Sequence, residues 1–254
     1  MITNMTSKCP YGECDGSGIT WLQNIKTLET KARYCKCRKE MIQAKRIEFA
    51  NIPDEFKNLT VRSFSTDIYT SKESQSRAIA AKKITVNYIK KFKEFEEKAK
   101  GLYYYSKTKG SGKTRLALSL GNALLNSEHR QVRFITTLSL LQEIKSTYNQ
   151  ESQYTESQLV EAISNVHILI IDDIGVEKPT KWVNEILYSI FDTRMKYNRI
   201  TIFTSNCAME DLQHDDRLKS RIFKMAIPVK MPEEDIRIQQ SKQENEQLQN
   251  ILLK

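Results

Sequence analysis

Long apolar runs are missing from this sequence. No stretch of its 254 residues approaches the roughly 18–20 apolar side chains that span a bilayer. The opening residues, Met-Ile-Thr-Asn-Met-Thr-Ser-Lys, lack the apolar core of a secretory signal. These two absences predict a cytoplasmic protein with no membrane partner. Cysteine is scarce beyond the start: four of five lie in the first 37 residues, so no disulfide framework can run through the main body. Acidic side chains are outnumbered, 31 against 40 Lys and Arg, and the net charge of +9 favours an acidic partner, of which nucleic acid is the commonest. An apolar content of 39% at this length suffices for one sizeable domain and a small one.

The informative stretch is residues 102–121. Leu102 to Tyr105 read as a short buried strand, Lys107 to Gly112 as a loop, and Lys113 onward as a helix with Leu116, Leu120 and Leu124 on one face. Strand, loop, Gly-Lys-Thr and helix is the layout of a phosphate-binding loop, Gly-x4-Gly-Lys-Ser/Thr. The N–H groups of Gly110, Ser111 and Gly112 and the helix N-terminus surround a polyphosphate, Lys113 reaches the outer phosphates, and Thr114 binds Mg²⁺. The first glycine of the pattern is Lys107 here, a residue that adopts φ > 0 only at a cost.

The run His167-Ile-Leu-Ile-Ile-Asp172-Asp173 reads as a strand buried on both faces, as in a parallel sheet. Its two carboxylates sit at the C-terminal end, where open α/β sheets bind ligands. Asp172 is assigned to Mg²⁺ and Asp173 to the attacking water. Gln131–Thr136 and Ile200–Thr204 read as further strands, the latter followed by Asn206, a candidate for holding the γ-phosphate or the water. Leu138, Leu141 and Ile144 mark a helix, Leu159–Ser164 a short one, and Trp182–Lys196 another with Ile186, Ile190 and Phe191 inward. Lys113 and Asp172 are 59 positions apart, room for helix, strand and helix, so both half-sites fit one sheet of an α/β fold. Arg217 and Arg221 share one helical face and could reach a neighbouring subunit's γ-phosphate, whereas Ala226–Val229 reads as a last strand.

Cys9, Cys14, Cys35 and Cys37 are right in number and kind for a closed tetrahedral Zn²⁺ site, which would supply stability that a module this short lacks. Residues 1–49 are therefore assigned to a zinc module, 50–101 to a linker and lead-in helix, 102–232 to the core and 233–254 to a short tail with a short terminal helix. Val61 and Phe64 are expected anchors. One helix is expected from Glu73 towards Lys100, with Ala81, Ile84, Tyr88, Phe92, Phe95 and Ala99 as its apolar stripe and Gly101 as its stop.

Gly110 to Thr114, Ile168 to Gly175, Trp182 to Glu185, Thr204 to Asn206 and Arg217 to Arg221 together resemble the AAA+ helicase-loader ATPases of the DnaC and DnaI type, especially phage-encoded versions, over about residues 50–232. The resemblance implies an ATPase, slow and stimulated by partners. Lys113 and Thr114 would be its Walker A residues, Asp172 and Asp173 its Walker B residues, and Asn206 its sensor 1. Arg221, with Arg217 beside it, would be the finger acting in trans. It implies ATP, Mg²⁺ and Zn²⁺, a DnaB-type replicative helicase docked on the cysteine module, self-association through the ATPase domain, and single-stranded DNA on the helix near Leu138–Tyr148, where Lys145 is the candidate. Arg237 is a weak sensor-2 candidate. The same core also serves IstB-type transposition helpers, and a helicase-binding adaptor with little hydrolysis is a third reading.

Overall fold

The computed structural model describes residues 9–23, 29–128, 130–148 and 155–252. The chain divides into two compact units, Met1–Phe49 and Ala50–Lys254. In the first, β1 (Ile19–Gln23) and β2 (Thr30–Tyr34) pair as an antiparallel hairpin, and α1 (Cys37–Ala50) follows. All of β2 is exposed, and the buried cluster is Cys9, Cys35 and Cys37 with Cys14 and Met41 against it. That is too little apolar burial for independent folding.

The second unit begins with the lead-in. Val61 and Phe64 are buried, as the sequence leads one to expect. The expected single helix is two: α2 (Lys72–Lys90) and α3 (Phe92–Glu97), broken at Lys91, with Ala99 rather than Gly101 taking the left-handed turn at φ 50°. Ala81, Tyr88 and Phe92 are buried, but Ile84 points out, and its inward neighbour Thr85 bonds the Ala81 carbonyl and the Tyr104 hydroxyl instead. Gly101 belongs to the next strand, where a Cβ would stand 1.8 Å from the Thr201 carbonyl oxygen; the glycine is there for close approach.

The core then alternates: β3 (Gly101–Tyr105), α4 (Lys113–Ser127), β4 (Val132–Thr136), α5 (Thr137–Ser146), α6 (Glu156–Asn165), β5 (Ile168–Ile174), α7 (Lys181–Lys196), β6 (Ile200–Ser205), α8 (Asp216–Met225), β7 (Ala226–Lys230) and α9 (Ile236–Leu252). The five strands are parallel in the order β4-β5-β6-β3-β7. Period-two alternation splits each strand between two cores. Ile168 and Ile170 join Leu116, Leu120 and Leu124 on one face, whereas Leu169 and Ile171 join Ile186, Ile190 and Phe191 on the other. Helices on both faces give a three-layer α/β fold. The helix expected at Leu138, Leu141 and Ile144 is present as α5; Leu138 is exposed on it, whereas Leu140, Leu141 and Ile144 are buried. The helix expected at Leu159 starts at Glu156, on a Thr155–Gln158 capping box; residues 149–154 of the preceding polar stretch lie outside those described. The terminal helix is not short but 17 residues long. Among the described residues no helix is long and apolar enough to cross a membrane.

Candidate nucleotide site and cysteine cluster

β3 delivers the chain into the loop at Ser106, and α4 starts at Lys113. Gly112, at φ 90°, turns the loop into the helix beneath Phe64 and Tyr69, where a larger residue would be strained. The Tyr69 hydroxyl donates to the Ser111 carbonyl at 3.0 Å, tying the loop to the lead-in. Among the described residues no side chain caps the N-terminus of α4, so its first N–H groups are left for an anion. The Lys113 ammonium is buried and donates to the carbonyls of Thr108 (2.8 Å) and Ser106 (3.4 Å) and to the Ser111 hydroxyl (3.4 Å). Burial pushes it down, and the charges of Asp173, Glu233 and Asp172 pull it back up. Lys107, exposed, is not among the residues at positive φ: the strain expected there from the missing glycine does not arise.

β5 ends in a bulge. Its register against β6 shifts between Ile171 and Ile174, and Asp173 takes φ 55°. Thr204 bridges the two carboxylate residues: its hydroxyl donates to Asp172 Oδ1 at 2.6 Å and accepts from the Asp173 N–H at 2.9 Å. Thr114 donates to the same Asp172 oxygen at 2.8 Å, so the ends of the two half-signals, 58 residues apart, meet in one contact. Burial raises the Asp172 carboxyl, the Thr204 bond opposes this, and the charge of Asp173 adds to the rise. A hydroxyl and a buried carboxylate side by side are hard oxygen ligands suited to Mg²⁺. Asn206 follows β6, half-buried, and among the described residues its side chain has no hydrogen-bond partner, which leaves it free to bind a ligand.

Arg217 and Arg221 lie on α8. Arg217 is exposed, while Arg221 is held by Asp192 (2.8 Å) and the Tyr188 hydroxyl (2.5 Å), with its guanidinium over the Tyr188 ring. The turn before α8 is linked to the segment after β5 by His214 and Glu177, which sequence reading passed over, and to α7 by Asn184. His214 Nε2 lies 2.7 Å from Glu177, whose other oxygen accepts from the Gly175 N–H, and His214 Nδ1 lies 2.9 Å from Asn184 Oδ1. Arg237, at the start of α9, is near enough for its charge to lower Lys113.

In the first unit the sulfurs of Cys9, Cys14, Cys35 and Cys37 all lie within 4.8 Å of one another. The Cys9–Cys35 and Cys14–Cys37 separations are 3.6 and 3.5 Å, too long for disulfides and close to the about 3.8 Å edge of a tetrahedron of sulfurs around Zn²⁺. The four thiols fit a structural zinc.

A parallel β4-β5-β6-β3-β7 sheet, with a phosphate loop after β3 and an acidic pair closing β5, defines a P-loop ATPase core of the AAA+ kind. Residues 62–230 match the bacterial DnaA ATPase domain. The chain belongs to that family, and its curated relatives make it an AAA+ protein of DnaC and DnaI type. It is 32% identical to the replicative helicase loader DnaC of Escherichia coli K12 over 130 residues, 50% of this chain and 52% of that protein. It is 27% identical to the replicative helicase loader DnaI of Bacillus subtilis 168 over 166 residues, 59% of this chain and 51% of that one. The chain thus spans about half the length of the curated relatives it matches. A crystal structure of DnaI superposes with a TM-score of 0.56 at 25% identity, covering 71% of this chain and 94% of that one.

Proposed function

We propose that this protein is an ATP-dependent loader that places a DnaB-type replicative helicase on single-stranded DNA during replication initiation, in the cytoplasm of a bacterial or phage-infected cell. The observation that carries the reading is the Thr114–Asp172 contact beside the buried Lys113, in a chain whose relatives are helicase loaders. Gly110, Ser111 and Gly112 seat the phosphates with their N–H groups, and Lys113 binds the outer ones. Thr114 and Asp172 hold Mg²⁺, which, when bound, offsets charge on the phosphates. Asp173 orients the attacking water and Asn206 holds it or the γ-phosphate. Arg217 and Arg221 serve a neighbouring subunit's site, Arg221 after exchanging Asp192 for phosphate, which makes turnover slow until partners assemble.

Residues 1–49 form the helicase-docking module, zinc-stabilised, with Trp21 and Tyr34 exposed on its hairpin. Residues 50–101 are the lead-in, 102–232 the ATPase core and 233–254 the tail. Single-stranded DNA lies across Lys145, Tyr148 and Trp182: the Lys145 ammonium stands 5.1 Å from the Trp182 ring centre, and Trp182 Nε1 donates to the Tyr148 hydroxyl at 2.9 Å. A cation beside a half-buried Trp182 and an exposed Tyr148 is a combination that can bind backbone phosphate and stack bases.

The test is ATP turnover with the host's replicative helicase and single-stranded DNA. The wild type should hydrolyse ATP above a Lys113→Ala control, and Asp173→Asn should keep ATP binding while losing about a hundredfold in turnover. Helicase recovered from host extract, with no turnover above the control, would instead mark an adaptor. Recovery of a transposase alone would mark a transposition helper.

A further inference from the structure

The segment after β7 grips the phosphate loop from behind. Glu233 accepts from the Lys107 N–H at 3.4 Å through one oxygen. Through the other it accepts from the Ser106 hydroxyl, the Thr108 N–H and the Thr108 hydroxyl, each at 3.1 Å. Its neighbours tie the same segment down. Glu234 takes the N–H groups of Thr70 and Ser71, at 2.8 and 2.9 Å, and the Ile236 N–H donates to the Gly110 carbonyl at 3.1 Å. The Thr70 N–H first, then that of Ser71, hold the Glu234 carboxyl down to about 2, so the tie persists as a carboxylate throughout the neutral range.

The residues that Glu233 grips are the residues that hold Lys113. Ser106 and Thr108 give their N–H or hydroxyl to Glu233 and their carbonyls to the Lys113 ammonium. We propose that Glu233 is a positioning residue for nucleotide binding, fixing the loop opening, and through it the Lys113 ammonium, in a chain that has Lys107 where the loop pattern has glycine. This rests on reading residues 110–114 as the phosphate seat. Glu233 does not compete for that seat: it binds the first amides of the loop, whereas the uncapped amides at the start of α4 remain open. A loop held in its bound shape before ligand arrives loses less entropy on binding.

The experiment measures the affinity of full-length protein for Mg·ATP by titrating a fluorescent ATP analogue. The variants are Glu233→Ala, Glu233→Asp and Glu233→Gln, with Lys113→Ala as control and circular dichroism to verify folding. Gln keeps the reach and an acceptor oxygen but loses the charge; Asp keeps the charge but is one methylene short. Ala and Asp should bind about tenfold more weakly, and Gln within about threefold of wild type. A merely electrostatic role would reverse the order of Asp and Gln. If Ala does not fold, the Asp–Gln contrast still decides. Ala or Asp within about twofold of wild type, or Gln no better than Asp, overturns the proposal. Wild type that binds no more tightly than Lys113→Ala overturns the phosphate-seat reading itself.

Discussion

At the scale of single residues, Lys113 and Asp172 are buried polar groups, each held by named partners. Lys113 and Asp172 are visible in the sequence because each breaks a local rule: a lysine at a glycine-rich helix start, and carboxylates ending an apolar strand. Glu233 breaks no such rule, and only its contacts reveal it; Thr204 stands out in the sequence only as part of the Thr204–Asn206 stretch, and its place between the two carboxylate residues is visible only in the fold. Arg194 is the strongest case of a residue that sequence reading overlooks. It is fully buried on α7 and donates to the carbonyls of Ile163, Ser164, Val166 and Ile200 and to the Thr201 hydroxyl, with no carboxylate among these partners. Burial first, then the Arg199 charge, pulls it down to about 9. It closes the C-terminus of α6 and joins it to β6. Arg194→Met should lower stability by about 3 kcal/mol in urea unfolding, since the carbonyls left behind are buried and unpaired; a loss under about 1 kcal/mol would mean that burying the charge cost nearly as much as its bonds return.

At the scale of elements, hydrophobic periodicity located the strands and helices of the core to within a few residues, because each must turn an apolar face inward. It failed in two places. The lead-in helix breaks at Lys91 although the apolar spacing continues across it, and α9 runs on for 17 residues with only Ile236 buried. The cysteine hairpin lies at the other extreme, with almost no apolar core to specify it. Its order should therefore depend on metal. Purified protein should contain about one zinc per chain, and a chelator should make residues 9–37 sensitive to protease while the fragment from residue 50 onward stays resistant. A chelated protein with unchanged cleavage at the hairpin would count against the zinc assignment.

At the scale of the whole molecule, the net charge of +9 and the cluster of Lys145, Tyr148 and Trp182 bear on nucleic acid. Lys145→Ala should weaken single-stranded DNA binding and reduce the slope of log affinity against log salt by about 0.7, the signature of one lost phosphate contact. Trp182→Ala should weaken binding by roughly 1–3 kcal/mol per stacked base while leaving that slope unchanged. Fluorescence anisotropy with a labelled oligonucleotide at several salt concentrations reads both, and unchanged affinity in both variants would remove this surface from the proposal.

The sequence alone determined the alternating α/β core, the phosphate loop, the acidic strand end and the four-thiol set, because each is written in residues adjacent or regularly spaced along the chain. The tertiary structure decided the rest. It placed Thr114 against Asp172 across 58 residues, gave Thr204 its bridge between the two carboxylate residues, and clasped Glu233 on a loop more than 120 residues away. Contacts of that kind depend on where the sheet carries each strand end. A hydrogen-bonding side chain looks the same in the sequence whether it faces water or the residue it holds in place.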